Sequence, residues 1–434
     1  MQLRRSLTLL DATMINVGTM IGSGVFIVPA AIAIQLTGIS WILGVWVVAA
    51  MLSLLGALTF GELGATLPQA GGLVVYLGEA YGPIWGFFYG WTVFVVIQTG
   101  SIAAVAVAFA TYLGHFVPLG AAGSKLVAIG AIALLTLVNL IGVRAGARTQ
   151  NIVTIAKLIV IALLIAVSFG SSAGSMLHLA TPAARLSWPL LSAFGTALVA
   201  ALWAFDGWIH TSYVGGEIEN PGRNLPLSTV ASVVIVAAVY LALNLGYHYV
   251  LGQDGVAQSS RVAADTAAAA IGASGAGFAS ALIALATLGC VSGMILAGGR
   301  IYYAMAREGL FFKFVGQVHP RFGTPANSLC LQGLWSIVLA LSGRYDQLFT
   351  YVVFASWVFY GMGAAAVFVL RGRPGLRSPY RVWSVVPALF VVFAVVLLCA
   401  TLMTDPRDAL IGLALMLAGL PAYFWFRSFE ALPA

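Results

Sequence analysis

Apolar residues run along this chain in blocks too long for the core of a water-soluble domain. Each block is roughly 20 residues or more, enough for a helix to cross about 30 Å of hydrocarbon. They fall near 10–34, 39–66, 84–113, 124–143, 150–170 and 189–214, then near 228–251, 275–304, 327–343, 346–370, 383–403 and 408–427. This pattern predicts an all-α polytopic membrane protein with twelve transmembrane helices and short connections. No stretch reads as a separate soluble unit, so one transmembrane domain is expected over 1–434.

Composition strengthens that reading. With 61% hydrophobic and 8% charged residues, the chain has too little charge to cover a soluble surface. Arg4 and Arg5 precede the first apolar block, as in a secretory signal. However, no small-residue cleavage site follows a short apolar core, so the block is expected to remain as the first span. Cys290, Cys330 and Cys399 all lie inside apolar blocks, which argues against a disulfide framework. The histidines have no ligand spacing, so no metal is expected.

The net charge of +7 changes the picture only through its distribution. With twelve crossings, the connections alternate sides. Fourteen of the 20 Lys and Arg residues, from Arg4 and Arg5 through Arg144, Arg300 and Arg371 to Arg427, then fall on one side. Five (Lys125, Arg185, Arg261, Arg344 and Arg407) fall on the other. An excess of basic residues marks the cytoplasmic side, which puts both termini inside. The charge therefore reports topology, and no nucleic-acid partner is expected.

Two blocks have helix-breaking centres. The first contains Gly18-Thr19-Met20-Ile21-Gly22-Ser23-Gly24 and then Pro29; the sixth contains Trp203-Ala204-Phe205-Asp206-Gly207-Trp208. Glycine costs about 1 kcal/mol relative to alanine inside a helix, so local unwinding is predicted. Such glycines also permit close helix packing. Breaks at matching places favour unwinding, because spans one and six correspond if spans 1–5 and 6–10 form two repeats of opposite orientation. Discontinuous helices in that relation mark a transporter binding site. Amides around Ser23 and Gly24 would suit a carboxylate. Free carbonyls near Met20, Trp203, Ala204 and Asp206 would suit an ammonium group. An α-amino acid carries both charges.

Ionisable residues within spans are candidates for function by default. Asp206 admits two readings: contact with a substrate ammonium or coupled cation, or an N-cap of the second half-helix. Lys157 either snorkels to the surface or supplies a fixed ammonium between helices. Glu62 is expected to reach the membrane interface, and Glu217 and Glu219 to lie in a loop that ends the sixth span. Trp85, Trp188 and Trp383 read as interface anchors. No catalytic motif occurs with usable context, so an enzyme is not expected.

Four stretches carry a resemblance: GTMIGSGVFIVP (18–29), PQAGGLVVYLGEAYGPIWGFFYGW (68–91), WAFDGWIHTSYVGGEIENPGRNLP (203–226) and GRIYYAMAREGLFFKFVGQVHPRFGTP (299–325). In that order the sequence resembles the L-type amino-acid transporters of the amino acid–polyamine–organocation superfamily, in particular their bacterial members. The resemblance implies a leucine-transporter-like fold: inverted repeats at about 10–170 and 189–370, then two further helices at about 383–427. It implies a substrate carboxylate met by the backbone of Gly22, Ser23 and Gly24, and an amine met by carbonyls of Met20, Trp203 and Asp206. Trp203 matches an aromatic that closes over the substrate, and Lys157 matches a lysine that stands where other relatives bind sodium. His210 sits where relatives differ, so substrate preference could shift with it.

The resemblance also implies a bacterial cytoplasmic membrane location and no cofactor. Animal members pair with a glycoprotein through a cysteine between spans three and four. Here that connection, 114–125, has none, so no covalent heavy chain is expected. The expected function is a sodium-independent exchanger or facilitator of neutral L-amino acids. A proton-coupled symporter is the alternative, and a sensor that binds without transport stands behind both.

Overall fold

The structure, a computed structural model, describes residues 3–272, 274–342, 345–404 and 406–430. Arg344 and both chain ends (1–2 and 431–434), which entered the topology expectation, lie outside the described residues. The described chain is helical, and its only strand-like pairing is an isolated bridge between Leu7 and Ile218. Nine described helices are long and apolar enough to span a membrane, and a tenth span is the bent pair Leu9–Met20 and Gly24–Gln35. The shorter apolar helices Trp188–Ala204 and Ala326–Ser342 take the sixth and ninth places, which completes the expected order.

Local signals account for the ends. Thr8 and Asp11 form a reciprocal capping box at the start of the first span, which satisfies two amides that the helix leaves open. Proline opens the helices Pro83–Thr92 and Pro221–Gln258, where a missing N–H costs nothing. In the third span the hydrogen bonding loosens to a π-helical turn over Val93–Ile97.

Packing places the first span at the centre, against spans five, seven and eight. The eighth, Ser274–Arg307, is the most enclosed, with 83% of its apolar window buried, whereas the eleventh, Val385–Met403, has 22%. The exposed faces carry large apolar residues such as Leu134, Ile159 and Val392, as a helix facing lipid tails requires.

Contacts among connections test the crossing number, because only connections separated by an even number of spans can meet. At one end Gly38 N donates to Gln253 Oε1 (2.9 Å), Trp41 Nε1 to the Ala184 carbonyl (2.9 Å), and Lys125 Nζ to the Leu341 carbonyl (3.1 Å). At the other end the Ser6 and Leu7 amides donate to the Glu217 carbonyl (2.8 and 2.9 Å), and Thr324 Oγ1 donates to Leu140 (2.9 Å). Every one of these pairs obeys the rule. The basic-rich connections gather at the second end.

Several residues differ from expectation. Arg300, expected in a connection, lies in the eighth span and is fully buried; Glu217, expected in a loop, is fully buried beside it. Their side chains form a fork at 2.6 and 3.1 Å. Glu62, near the end of span two, is only 2% exposed and is held by Arg371 Nε and Nη2, each at 2.7 Å. In each case a carboxylate too expensive to bury alone is matched by a guanidinium from a distant span. The segment between spans two and three, expected as a connection, contains a helix, Leu73–Tyr81. The sixth span is shorter than expected: after Trp188–Ala204 the chain turns, and only His210–Tyr213 is helical again.

Replacing Arg300 with Met should strand the Glu217 carboxylate and cost about 3–5 kcal/mol, seen as a lower unfolding midpoint of the detergent-solubilised protein. Adding Glu217→Gln should recover most of the loss. No recovery would mean that shape rather than charge balance sets the cost.

Candidate functional site

The first span stops at Met20, resumes at Gly24, and is bent by 45° across the gap. No protein acceptor receives the amide N–H groups of Ser23 and Gly24 among the described residues. Those two donors sit at the start of the second half-helix, where its dipole is positive. The surrounding residues 20–26 are buried.

The sixth span breaks beside it. Gly207 has a φ of +121°, and a Cβ there would stand 3.0 Å from the Met20 amide nitrogen; a glycine is needed for both reasons. Asn16 clasps the two breaks, donating from Nδ2 to the Trp208 carbonyl (2.7 Å) and accepting from the Thr211 amide (2.8 Å). Thr19 Oγ1 lies 3.2 Å from the Gly207 carbonyl. Thus Met20, Gly22, Ser23, Gly24, Trp203, Ala204 and Asp206 are brought to one region.

Lys157 does not snorkel. It is fully buried, and its Nζ donates to the carbonyls of Gly18 (2.6 Å) and Ile21 (2.8 Å). These are carbonyls that the break releases, and the ammonium rests on them. Among the described residues it forms no ion pair. Cys290 of the eighth span donates to the Thr19 carbonyl at 3.1 Å, on the same stretch.

The carbonyls expected for a substrate amine are partly engaged. Tyr240 of the seventh span places its hydroxyl 2.8 Å from both the Met20 and Ala204 carbonyls, bridging the two breaks. The Trp203 carbonyl accepts from the Asp206 amide at 3.0 Å. The Met20 carbonyl also accepts from the Gly22 amide at 2.9 Å, which uses both its lone pairs, whereas the Ala204 carbonyl keeps a second one. Tyr240 was missed because it sits in an apolar run; a lone tyrosine at mid-span, whose buried hydroxyl needs a partner, is the signal that could have found it.

Asp206 does not cap the second half-helix. Ile209 holds that position without a side-chain bond, and Asp206 Oδ1 instead accepts from the Tyr360 hydroxyl of span ten at 2.9 Å. Trp203 lies against Gly24: a Cβ on Gly24 would stand 3.4 Å from its ring, and only 3.0 Å from Ala204 Cα. Gly24 therefore serves packing between the breaks, so the unwinding and close-packing readings both hold. His210 is buried, with Nδ1 2.9 Å from the Gly207 carbonyl and Nε2 3.3 Å from Gln98 Oε1.

Two broken, mutually braced spans inside a twelve-span bundle define a membrane permease. The amino acid permease family matches residues 7–424, and the chain belongs to that family, within the amino acid–polyamine–organocation superfamily. It is 33% identical to the serine/threonine exchanger SteT of Bacillus subtilis (strain 168), over 99% of this chain and 98% of that one. It is 32% identical to the human b(0,+)-type amino acid transporter 1, over 98% of this chain and 88% of the relative. A mouse relative, large neutral amino acids transporter small subunit 2, is 30% identical over 97% and 81%. These are permeases, which sets aside a membrane-embedded enzyme.

If packing is what Gly24 serves, Gly24→Ala should lower transport severalfold, and adding Ala204→Gly should restore part of it. An absence of rescue would return Gly24 to a role in ligand approach. Separately, Tyr240→Phe should cost about 1–3 kcal/mol of stability, the typical loss when buried polar groups lose their partner. An unchanged unfolding midpoint would show that the two carbonyls do not depend on the hydroxyl.

Proposed function

We propose that this chain is a sodium-independent exchanger or facilitator of neutral L-amino acids, working by alternating access around the two breaks. The observation that carries it is the Lys157 ammonium on the Gly18 and Ile21 carbonyls, where a fixed positive charge replaces a diffusible cation. The names of the relatives, an exchanger of serine and threonine and a transporter of large neutral amino acids, support exchange and a neutral cargo.

In this reading the backbone at Gly22, Ser23 and Gly24 takes the substrate carboxylate. Carbonyls of Met20, Trp203, Ala204 and Asp206 take the amine, and Trp203 closes over the bound molecule. The two halves, about 10–170 and 189–370, are inverted repeats, and the helices at about 383–427 are additional. Both termini face the cytoplasm, the side to which the basic connections belong, in a bacterial cytoplasmic membrane. No covalent heavy chain is attached through the connection at 114–125, which lacks cysteine.

Counterflow in sodium-free proteoliposomes tests the proposal. Vesicles loaded with mixed unlabelled amino acids should accumulate a labelled neutral one, and Lys157→Ala should reduce the rate at least about tenfold, as losing a buried charged hydrogen-bond donor implies. An imposed pH gradient that drives net uptake would instead make the protein a proton symporter. Binding without accumulation by folded protein would leave a sensor.

A further inference from the structure

Amino-acid transport makes no use of a second charged feature, at the basic-rich end of the molecule. There a cleft of about 380 Å³ opens between the chain start, the turn joining spans four and five, and the loop before span nine. Arg4, Arg5, Arg144 and Arg321 line it, and no carboxylate does. None of the four forms an ion pair among the described residues. The Arg321 guanidinium lies over the Phe322 ring, 5.6 Å from its centre. Arg144 and Ser6 also line an adjoining, smaller cleft with Arg148, Asp11 and Glu219, where Asp11 is already engaged by Thr8 and Asn151.

Four like charges around one concavity repel each other unless an anion sits among them. Another cleft on the same face differs in that a carboxylate, Glu62, lines it. There Arg371 pairs with Glu62 and Arg373 with Glu79, while Arg377 and Arg381 form no ion pair among the described residues. Guanidinium forks suit phosphate oxygens. The position adds a second requirement. Leu140 ends span four, and Val143 and Leu9 begin spans five and one, so the cleft lies where the helices leave the hydrocarbon. Ile141, next to the lining Gly142, is 59% exposed, and Val143 and Val318 line the cleft, offering an apolar margin next to the charges.

We propose that this cleft binds the phosphate of an anionic phospholipid from the adjoining leaflet, with the acyl chains along that apolar margin. Arg4 and Arg5 directly precede Ser6 and Leu7, whose amides bond to the Glu217 carbonyl. A bound headgroup therefore also holds the chain start against the end of the sixth span.

The test is equilibrium binding to the detergent-solubilised protein, read by native mass spectrometry and by the unfolding midpoint, independent of transport. The probes are dioctanoyl phosphatidylglycerol, dioctanoyl phosphatidylcholine and inorganic phosphate. Phosphatidylglycerol should be retained and raise the midpoint, and phosphatidylcholine should do neither. Arg144→Gln with Arg321→Gln should weaken binding about thirtyfold, and Arg4→Gln with Arg5→Gln similarly, from about a factor of five per basic residue at an anionic surface. Removing Arg223 and Arg307, exposed on the same face outside the cleft, should leave it within about twofold. Equal losses in all three double variants would reduce the effect to diffuse surface charge and overturn the site. Inorganic phosphate binding as tightly as the lipid would overturn the lipid assignment.

Discussion

Backbone groups at bilayer depth have no water to bond, and the rest of this structure follows from that constraint. A continuous helix satisfies it internally; a broken one releases amides and carbonyls that other residues must meet. Around these two breaks the partners can be followed one by one. Lys157 takes Gly18 and Ile21, Tyr240 takes Met20 and Ala204, Cys290 takes Thr19, and Asn16 takes Trp208 and Thr211. The partners come from spans five, seven and eight, which enclose the first span, and from Asn16 of the first span itself. Among the described residues the amides at Ser23 and Gly24, at the end of the break with positive polarity, have no protein acceptor.

Much of this was legible in the sequence, because long apolar blocks and clustered glycines act through the backbone and leave a local mark. The positions of the twelve spans and the two breaks are of that kind. The partners were not legible, because they act across distance. Lys157 is separated from Gly18 by 139 positions and Tyr240 from Met20 by 220, and nothing local says which polar side chain faces which carbonyl. Arg300 misled for a related reason. An arginine near the end of an apolar block reads as a loop residue until Glu217 is known to lie beside it. Gly24 could be read only as permissive; that its missing Cβ leaves room for Ala204 needed the packing.

Substrate-dependent movement has to respect the same bonds. Asn16, Thr19 and Tyr240 tie the first and sixth breaks to each other, so those two segments are coupled before any ligand arrives. A carboxylate on the Ser23 and Gly24 amides and an ammonium on the second lone pair of the Ala204 carbonyl would add to bonds already bridging both breaks. Ligand free energy can then favour one arrangement of the pair over another, which is the requirement for a ligand to shift a conformational equilibrium.

The two ends of the molecule are closed by different chemistry, and this constrains how either could open. At one end the ties are neutral hydrogen bonds among Gly38, Gln253, Trp41 and Ala184 and one from the exposed Lys125 ammonium to the Leu341 carbonyl, with no ion pair among the described residues. Neutral bonds of this kind are worth about 1 kcal/mol net and are replaceable by water as the end opens. At the other end Glu217 and Arg300 are bound with both side chains buried, and separating them inside the bundle would cost several kcal/mol. Opening there is cheapest if the end of span six and span eight stay together. The parts that yield are then the backbone bonds from Ser6 and Leu7 to Glu217. The chain start is then the element free to move at that end, which is why a headgroup bound at Arg4 and Arg5, as proposed, would bear on access as well as on lipid.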